Sequence, residues 1–152
     1  MHGVVVRQAI TQVDERGELT EIYSGTWRFD AEPVTYVYTM TLRPGWVKGW
    51  VYHKNQVDRI FVVSGFARYV LWDPRPESPT YNRINEICFS ERNRGLILIP
   101  TYVVHALQNV GQNEAVFINM PTVAYNHDSP DKYRVSPNDV PYKFSNNKGI
   151  IV

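Results

Sequence analysis

Short apolar runs of strand length recur along the chain, and turn-forming residues such as Arg43-Pro44-Gly45 separate them. Several runs are rich in β-branched and aromatic residues, and the longest alternates with a period of two. The runs cover residues 4–6, 19–23, 34–42, 46–52, 59–63, 67–72, 84–89, 96–99, 105–110 and 115–120. About ten short strands with no convincing helix between them predict an all-β sandwich or barrel.

The pattern changes near residue 125, where Pro130, Pro137 and Pro141 occur among alternating charges. We therefore expect an irregular but ordered surface arm over residues 125–152, with residues 150–152 able to dock as an edge strand. A chain of 152 residues and 17.6 kDa suits one hydrophobic core, so residues 1–152 are predicted to form a single domain.

Composition limits the partners and the compartment. The net charge of +1 argues against a nucleic-acid partner, which would favour a strongly basic face. No apolar run is long enough to span a membrane, and 10 Tyr, 4 Trp and 6 Phe favour strands. One cysteine, Cys88, is typical of the reducing cytoplasm, where we expect this protein to act.

Two segments each contain a histidine at a characteristic distance from glycine, proline, acidic or amide residues. In the first, His53 follows Gly49, Asp58 lies five residues further on, and Gly65 lies seven beyond that. The second contains Pro100, Tyr102, His105 and Asn109. Both resemble the paired motifs of the cupin superfamily, although Tyr102 replaces a glycine. The resemblance implies a single cupin barrel, a double-stranded β-helix or jelly roll, with an N-terminal strand and an irregular C-terminal arm.

The first metal-binding histidine of the cupin motif corresponds to Val51 in this chain. Only His53, His105 and Asp58 remain to converge on one point. One hypothesis is a site of two histidines and one carboxylate that holds a divalent metal. The alternative, which we favour, has no metal or cofactor. In that case these polar groups line a metal-free pocket, or each of them is simply hydrogen-bonded in the barrel wall.

Flanking segments are similar to one branch of the cupins. Residues 14–21 read Asp-Glu-Arg-Gly-Glu-Leu-Thr-Glu, residues 47–50 read Val-Lys-Gly-Trp, and residues 73–81 end in Ser-Pro-Thr-Tyr. Residues 138–142 read Asn-Asp-Val-Pro-Tyr. Together they resemble the dTDP-4-dehydrorhamnose 3,5-epimerase family and its short relatives among nucleotide-sugar enzymes, from residue 14 to residue 144.

This resemblance implies metal-free epimerisation beside a ketone. A histidine oriented by an aspartate removes a proton, a basic residue stabilises the enolate, and a tyrosine returns the proton. The orienting aspartate matches Asp139, while the base falls on Val51 and the tyrosine near Asn119. The lysine that stabilises the enolate falls at Asp58 or Arg59.

His53 lies on the same strand face as Val51, so it is a candidate for a displaced base, and His105 is the other candidate. With Asp139 they form the predicted catalytic set. The predicted substrate contacts are Arg16, Lys48, Arg59, Tyr36, Tyr38, Asn119 and Tyr125. Tyr36, Tyr38, Tyr102 and Tyr125 are the candidate acids.

We therefore expect an epimerase or isomerase that acts on a 4-keto-6-deoxy sugar linked to dTDP or another nucleotide, in polysaccharide or deoxysugar biosynthesis. The resemblance also implies a homodimer. A strand at residues 4–10, exchanged onto the neighbour, would cover the exposed sheet edges. Two alternatives remain open. One is a sugar-binding cupin that has lost its base, and the other is a metal-dependent cupin using His53, His105 and Asp58.

Overall fold

The computed structural model describes residues 1–145 and 147–151, and these are almost entirely strands and loops. The strands are β1 Val5–Gln8, β2 Thr11–Asp14, β3 Gly17–Thr20, β4 Tyr38–Leu42, β5 Trp46–Tyr52, β6 Asp58–Ser64, β7 Phe66–Trp72, β8 Ile84–Ser90, β9 Gly95–Ile99, β10 Val104–Asn109, β11 Ala115–Asn119, β12 Tyr133–Arg134 and β13 Gly149–Ile151. Within the described ranges the only helical element is a 3-10 turn, Gly25–Trp27, and no helix is long and apolar enough to cross a membrane.

Two sheets form the barrel. One has the order β1-β9-β6-β11-β4 and the other β12-β5-β10-β7-β8, with antiparallel neighbours throughout both orders. Side chains from both sheets, including Val62, Leu71 and Phe117, are buried in a common core. Burial of this apolar layer drives the sheets together. The predicted all-β jelly-roll barrel is therefore confirmed.

Two predicted runs differ from the observed strands by more than two residues at one end. The run at 34–42 is a strand only from Tyr38 onward, because β4 is an edge strand and its sole partner, β11, ends opposite Tyr38 at Asn119. In the run at 19–23, only residues 19 and 20 are in a strand. They end β3, which pairs with β2 in a separate hairpin. Alternation alone does not show where a partner strand stops.

The C-terminal arm covers the outer face of the sheet that contains β5. Tyr142 and Phe144 pack on buried Trp50, with ring centroids 6.0 and 5.3 Å from the indole. β12 pairs with the end of β5, and β13 runs parallel to its start. The predicted docking of residues 150 and 151 is confirmed, while Val152 lies outside the described residues.

Gly65 makes the turn between β6 and β7 with φ of 85°, a conformation that favours glycine. A Cβ atom here would lie 2.6 Å from Ala115 Cα. We expect Gly65→Ala to lower the free energy of unfolding by about 1–3 kcal/mol. Urea denaturation would measure this. Gly25→Ala is the matched control because nothing lies within 4 Å of its added Cβ. Equal stability of the two variants would contradict the prediction.

Candidate functional site

A cavity of about 390 Å³ lies between the two sheets. This volume is within the usual range for a small-molecule site. Polar side chains reach it from both sheets, at or next to the ends of strands: His53 follows β5, Asp58 begins β6, His105 lies in β10 and Asn119 ends β11. The predicted site residues that line this cavity are His53, His105, Asp58, Lys48, Tyr36, Tyr38, Asn119 and Tyr125.

Asp58 connects the two histidines. It is 3% exposed, and its Oδ2 atom lies 3.2 Å from His53 Nε2 and 3.4 Å from His105 Nε2. Its Oδ1 atom accepts hydrogen bonds from Gln56 Nε2 at 2.9 Å and from Asn119 Nδ2 at 3.1 Å. A buried carboxylate is stable only when its oxygens are satisfied in this way. The result is one connected polar centre on the cavity wall.

The other ring nitrogen of each histidine contacts a backbone carbonyl. His105 Nδ1 lies 3.0 Å from the oxygen of Val103, and His53 Nδ1 contacts the oxygen of Asp131. A carbonyl oxygen only accepts, so Nδ1 carries the proton in both rings. The two Nε2 atoms are thereby left for Asp58 and the cavity.

The contacts within this centre stabilise the charged forms of His53 and Asp58. Burial acts to lower the pKa of His53, but the hydrogen bond to Asp58 and its charge outweigh burial and raise the pKa above its ordinary value. Burial acts to raise the pKa of Asp58, yet hydrogen bonds from His105 and His53 hold it well below the usual range. Asp58 is therefore ionised at neutral pH and favours a protonated His53.

The same three side chains have the geometry of a metal site. Ligand atoms of His53, Asp58 and His105 all lie within 4.8 Å of one another. Histidines that bind metals commonly donate their second N–H to a carbonyl or carboxylate, as both rings do here. Val51 supplies no fourth ligand, so the protein would offer two nitrogens and one oxygen to a divalent cation.

Three predicted site residues lie outside the cavity. Arg59 follows Asp58 in β6, so strand alternation turns it to the opposite face, where it is fully buried against Asp30 and does not line the cavity. Asp139 is exposed in the arm and orients neither histidine. Arg16 lies at the β2–β3 turn, 2.6 Å from Asp14 and 83% exposed.

Asp131, which was not among the predicted site residues, makes the contact with His53 that was expected of Asp139. Its carboxylate accepts the backbone N–H groups of Lys54, Asn55 and Gln56 at 3.0, 2.8 and 2.9 Å, and its carbonyl contacts His53. Burial acts to raise the Asp131 pKa, but these three N–H groups lower it. Only tertiary folding brings Asp131 to a turn 77 residues away at Lys54, so local spacing could not predict this contact.

We expect Asp131→Ala to lower the free energy of unfolding by about 1–3 kcal/mol, because three N–H groups lose a charged acceptor. Asp131→Asn should lose less, since the amide oxygen still accepts. Urea denaturation measures the stability, and long-range ¹⁵N–¹H NMR reports whether His53 Nδ1 keeps its proton. Asp128→Ala, an exposed position in the same loop, is the control. An unchanged His53 spectrum in Asp131→Ala would contradict the orienting function.

Comparisons with known proteins identify the family. The model of the family described as polysaccharide biosynthesis C-terminal domain matches residues 12–133. The probable low-salt glycan biosynthesis epimerase Agl13 of Haloferax volcanii is 31% identical over 137 residues, which is 89% of this chain and 87% of Agl13. The spore coat polysaccharide biosynthesis protein SpsL of Bacillus subtilis is also 31% identical over 137 residues, covering 90% of each chain.

A solved structure gives the fold. The dTDP-4-dehydrorhamnose 3,5-epimerase of Bacillus anthracis strain Ames, with TDP and PPi bound, superimposes with a TM-score of 0.84 at 20% identity. The match covers 97% of this chain and 88% of that one. The chain therefore belongs to the polysaccharide biosynthesis C-terminal domain family and has the cupin barrel of the dTDP-4-dehydrorhamnose 3,5-epimerases.

Proposed function

We propose that this protein is a sugar epimerase of glycan biosynthesis that moves a proton at a carbon beside a ketone. One observation carries the proposal: two histidine Nε2 atoms lie at the wall of a substrate-sized cavity, both held on buried Asp58. The similarity to the glycan epimerase Agl13 supports the same reaction class.

The centre has the groups that this chemistry needs. A ketone acidifies the neighbouring C–H bond, so a base can remove that proton and leave an enolate. Two imidazoles that share one carboxylate can differ in their number of protons. The imidazole whose Nε2 has no proton accepts the proton from carbon, while the other, protonated on both nitrogens, presents its Nε2–H to the enolate oxygen. His53 and His105 thus replace the base and the cation that the family resemblance located at Val51 and at Asp58 or Arg59.

A nucleotide-linked sugar fits the rest of the cavity. Lys48 and Lys132 both line it, and burial together with the nearby cations Arg134 and Lys48 lowers the Lys132 pKa. Such a cationic wall favours a diphosphate. Tyr36 and Tyr125 offer aromatic surface for the sugar or the base. We therefore infer a 4-keto-6-deoxy sugar linked to dTDP or another nucleotide as substrate.

Incubation with dTDP-4-keto-6-deoxyglucose tests this function. The protein is treated with EDTA, and ¹H NMR follows the sugar signals. We expect new signals from a sugar inverted at C3 or C5. Saturable binding without any new signal would contradict the proposal and favour the sugar-binding cupin that has lost its base.

A metal-dependent cupin is the second candidate, favoured by the convergence of His53, Asp58 and His105 within 4.8 Å. A divalent cation held by these residues would polarise the ketone as a Lewis acid. Elemental analysis of protein purified without a histidine tag distinguishes the two. Stoichiometric metal, with activity lost in EDTA, would establish the second candidate. Full activity in EDTA would exclude it.

We propose a homodimer, supported by the apolar residues exposed around the N-terminal hairpin: Ile10 is 77% exposed, Val13 75% and Leu19 60%. In the described structure β1 pairs with β9 of its own chain, so the predicted strand exchange is not observed. Arg16 does not line the cavity described above, so its predicted substrate contact would require the cavity of a partner chain. Light scattering should give twice the 17.6 kDa mass, whereas a monomer would contradict the dimer.

A further inference from the structure

A row of aromatic and apolar side chains crosses the sheet β12-β5-β10-β7-β8. We call it the aromatic row, and its members, from β12 to β8, are Tyr133, Tyr52, Val104, Trp72 and Ile84. Tyr133 pairs with Tyr52, and the register of β5 and β10 places Val104 beside Tyr52. Trp72 pairs with Val104 on one side and with Ile84 on the other. A strand spacing of about 4.8 Å gives the row a length of roughly 19 Å.

The aromatic row lies on the outer face of this sheet. Val51 and His53 line the cavity, so Tyr52 between them points away from it. All members of the row except Val104 keep part of their surface in contact with solvent, and Tyr133 is 36% exposed. The row is therefore a surface separate from the cavity, and a ligand can reach its rings.

Tyr102 extends the aromatic row beside Tyr52. The two rings stack with centroids 6.2 Å apart and planes at 28°, and Tyr102 is 45% exposed and does not line the cavity. Its φ of 63° lies in the left-handed region, which is costly for tyrosine and favours the glycine of the cupin motif. Backbone strain of this kind persists where function requires it. An exposed ring at this position therefore indicates a role that glycine could not supply.

Cations lie near both ends of the aromatic row. At the β12 end, Lys54 Nζ lies 4.2 Å from the centre of the Tyr133 ring. At the β8 end, exposed Arg83 directly precedes the strand. Glu86, further along β8, is already paired with Arg68 at 3.5 Å. This distribution of charge favours an anionic ligand.

We propose that the aromatic row, together with Tyr102, binds an anionic oligosaccharide. Sugar rings have C–H faces that pack on aromatic rings, and sugar hydroxyls can form hydrogen bonds with tyrosine hydroxyls. Carboxylates or phosphates on the sugars would pair with Lys54 and Arg83. A row of roughly 19 Å has room for about four sugar units. The family of this chain, described by polysaccharide biosynthesis, agrees with a saccharide partner.

Titration of the full chain with tetragalacturonic acid, followed by ¹⁵N–¹H NMR, tests this proposal. We expect saturable shifts at Tyr52, Trp72 and Tyr102, and binding of neutral cellotetraose that is weaker by about 10-fold or more. Tyr102→Gly and Trp72→Ala should each weaken binding of tetragalacturonic acid by about 10-fold. Phe66→Ala is the matched control and should bind normally. Phe66 is 45% exposed on the same face of β7 as Trp72, at the other end of the strand.

Tyr102→Gly separates binding from stability. Glycine favours a φ of 63°, so we expect this variant to unfold at about the same urea concentration as the unaltered protein while it binds the saccharide more weakly.

Four results would overturn the inference. The unaltered protein could show no shifts with tetragalacturonic acid at millimolar concentration, or bind cellotetraose equally well, which would exclude an anionic ligand. Tyr102→Gly and Trp72→Ala could both bind with unaltered affinity, which would place the ligand elsewhere. A halved mass of these two variants in light scattering would show that a second copy of the chain covers the row.

Discussion

Replacing His53 or His105 by asparagine should slow proton exchange beside the sugar ketone by about 10²–10⁴-fold. Each replacement removes one of the Nε2 atoms that Asp58 holds at the cavity wall. Deuterium incorporation measures the rate, and calorimetry with the nucleotide sugar should show a much smaller change in affinity.

His2→Asn is the matched control, because His2 is exposed and does not line the cavity. Its exchange rate should equal that of the unaltered protein. Retention of the normal rate in both His53→Asn and His105→Asn would show that neither imidazole moves the proton.

Asp30→Ala should lower the free energy of unfolding by about 3–5 kcal/mol, because it leaves the Arg59 guanidinium buried without its ion pair. Arg59 has no exposed surface and donates to Asp30 Oδ1 and to the carbonyl of Glu32, both at 2.8 Å, and to the carbonyl of Pro33 at 3.3 Å. A loss of this size is a large part of the about 5–15 kcal/mol that stabilises an ordinary domain. Urea denaturation measures it.

Arg16→Ala is the control for this ion pair. The Arg16–Asp14 contact is 2.6 Å long, but its side chains are 83% and 44% exposed, so we expect about 0–1 kcal/mol from its loss. Similar small losses in Asp30→Ala and Arg16→Ala would contradict the prediction that the buried Arg59–Asp30 ion pair stabilises the fold far more than the exposed Arg16–Asp14 pair.

The motif spacing correctly predicted that His53, Asp58 and His105 lie close together. His53, Asp58 and His105 belong to strands or turns that an antiparallel double-sheet barrel brings to the same cavity, so the fold places them together. Tyr38 and Asn119 follow from the same alternation, since both point inward from adjacent strands. Residues whose position depends only on strand and face are therefore predictable.

Asp131 and Arg59 show where this reasoning ends. Asp131 acts through contacts with a turn distant in sequence, and the irregular arm has no periodicity from which to predict its path. Asp58 and Arg59 were alternative matches to the same lysine of the family. A shift of one residue along a strand turns the side chain to the opposite face, so only one of the two can point into the cavity. The 34–37 segment alternates like a strand, but it pairs with no strand among residues 1–145 and 147–151. Tertiary packing determines these contacts and strand pairings, so they cannot be read from local sequence patterns.

The most direct test of the central claim is deuterium incorporation into dTDP-4-keto-6-deoxyglucose by the EDTA-treated full chain in heavy water. Exchange detects removal of the proton even when the equilibrium lies on the side of the starting sugar. We predict deuterium at C3 or C5, and its loss in the His53→Asn/His105→Asn double variant. A sugar nucleotide that binds in the cavity yet gains no deuterium would contradict the account and indicate a binding protein.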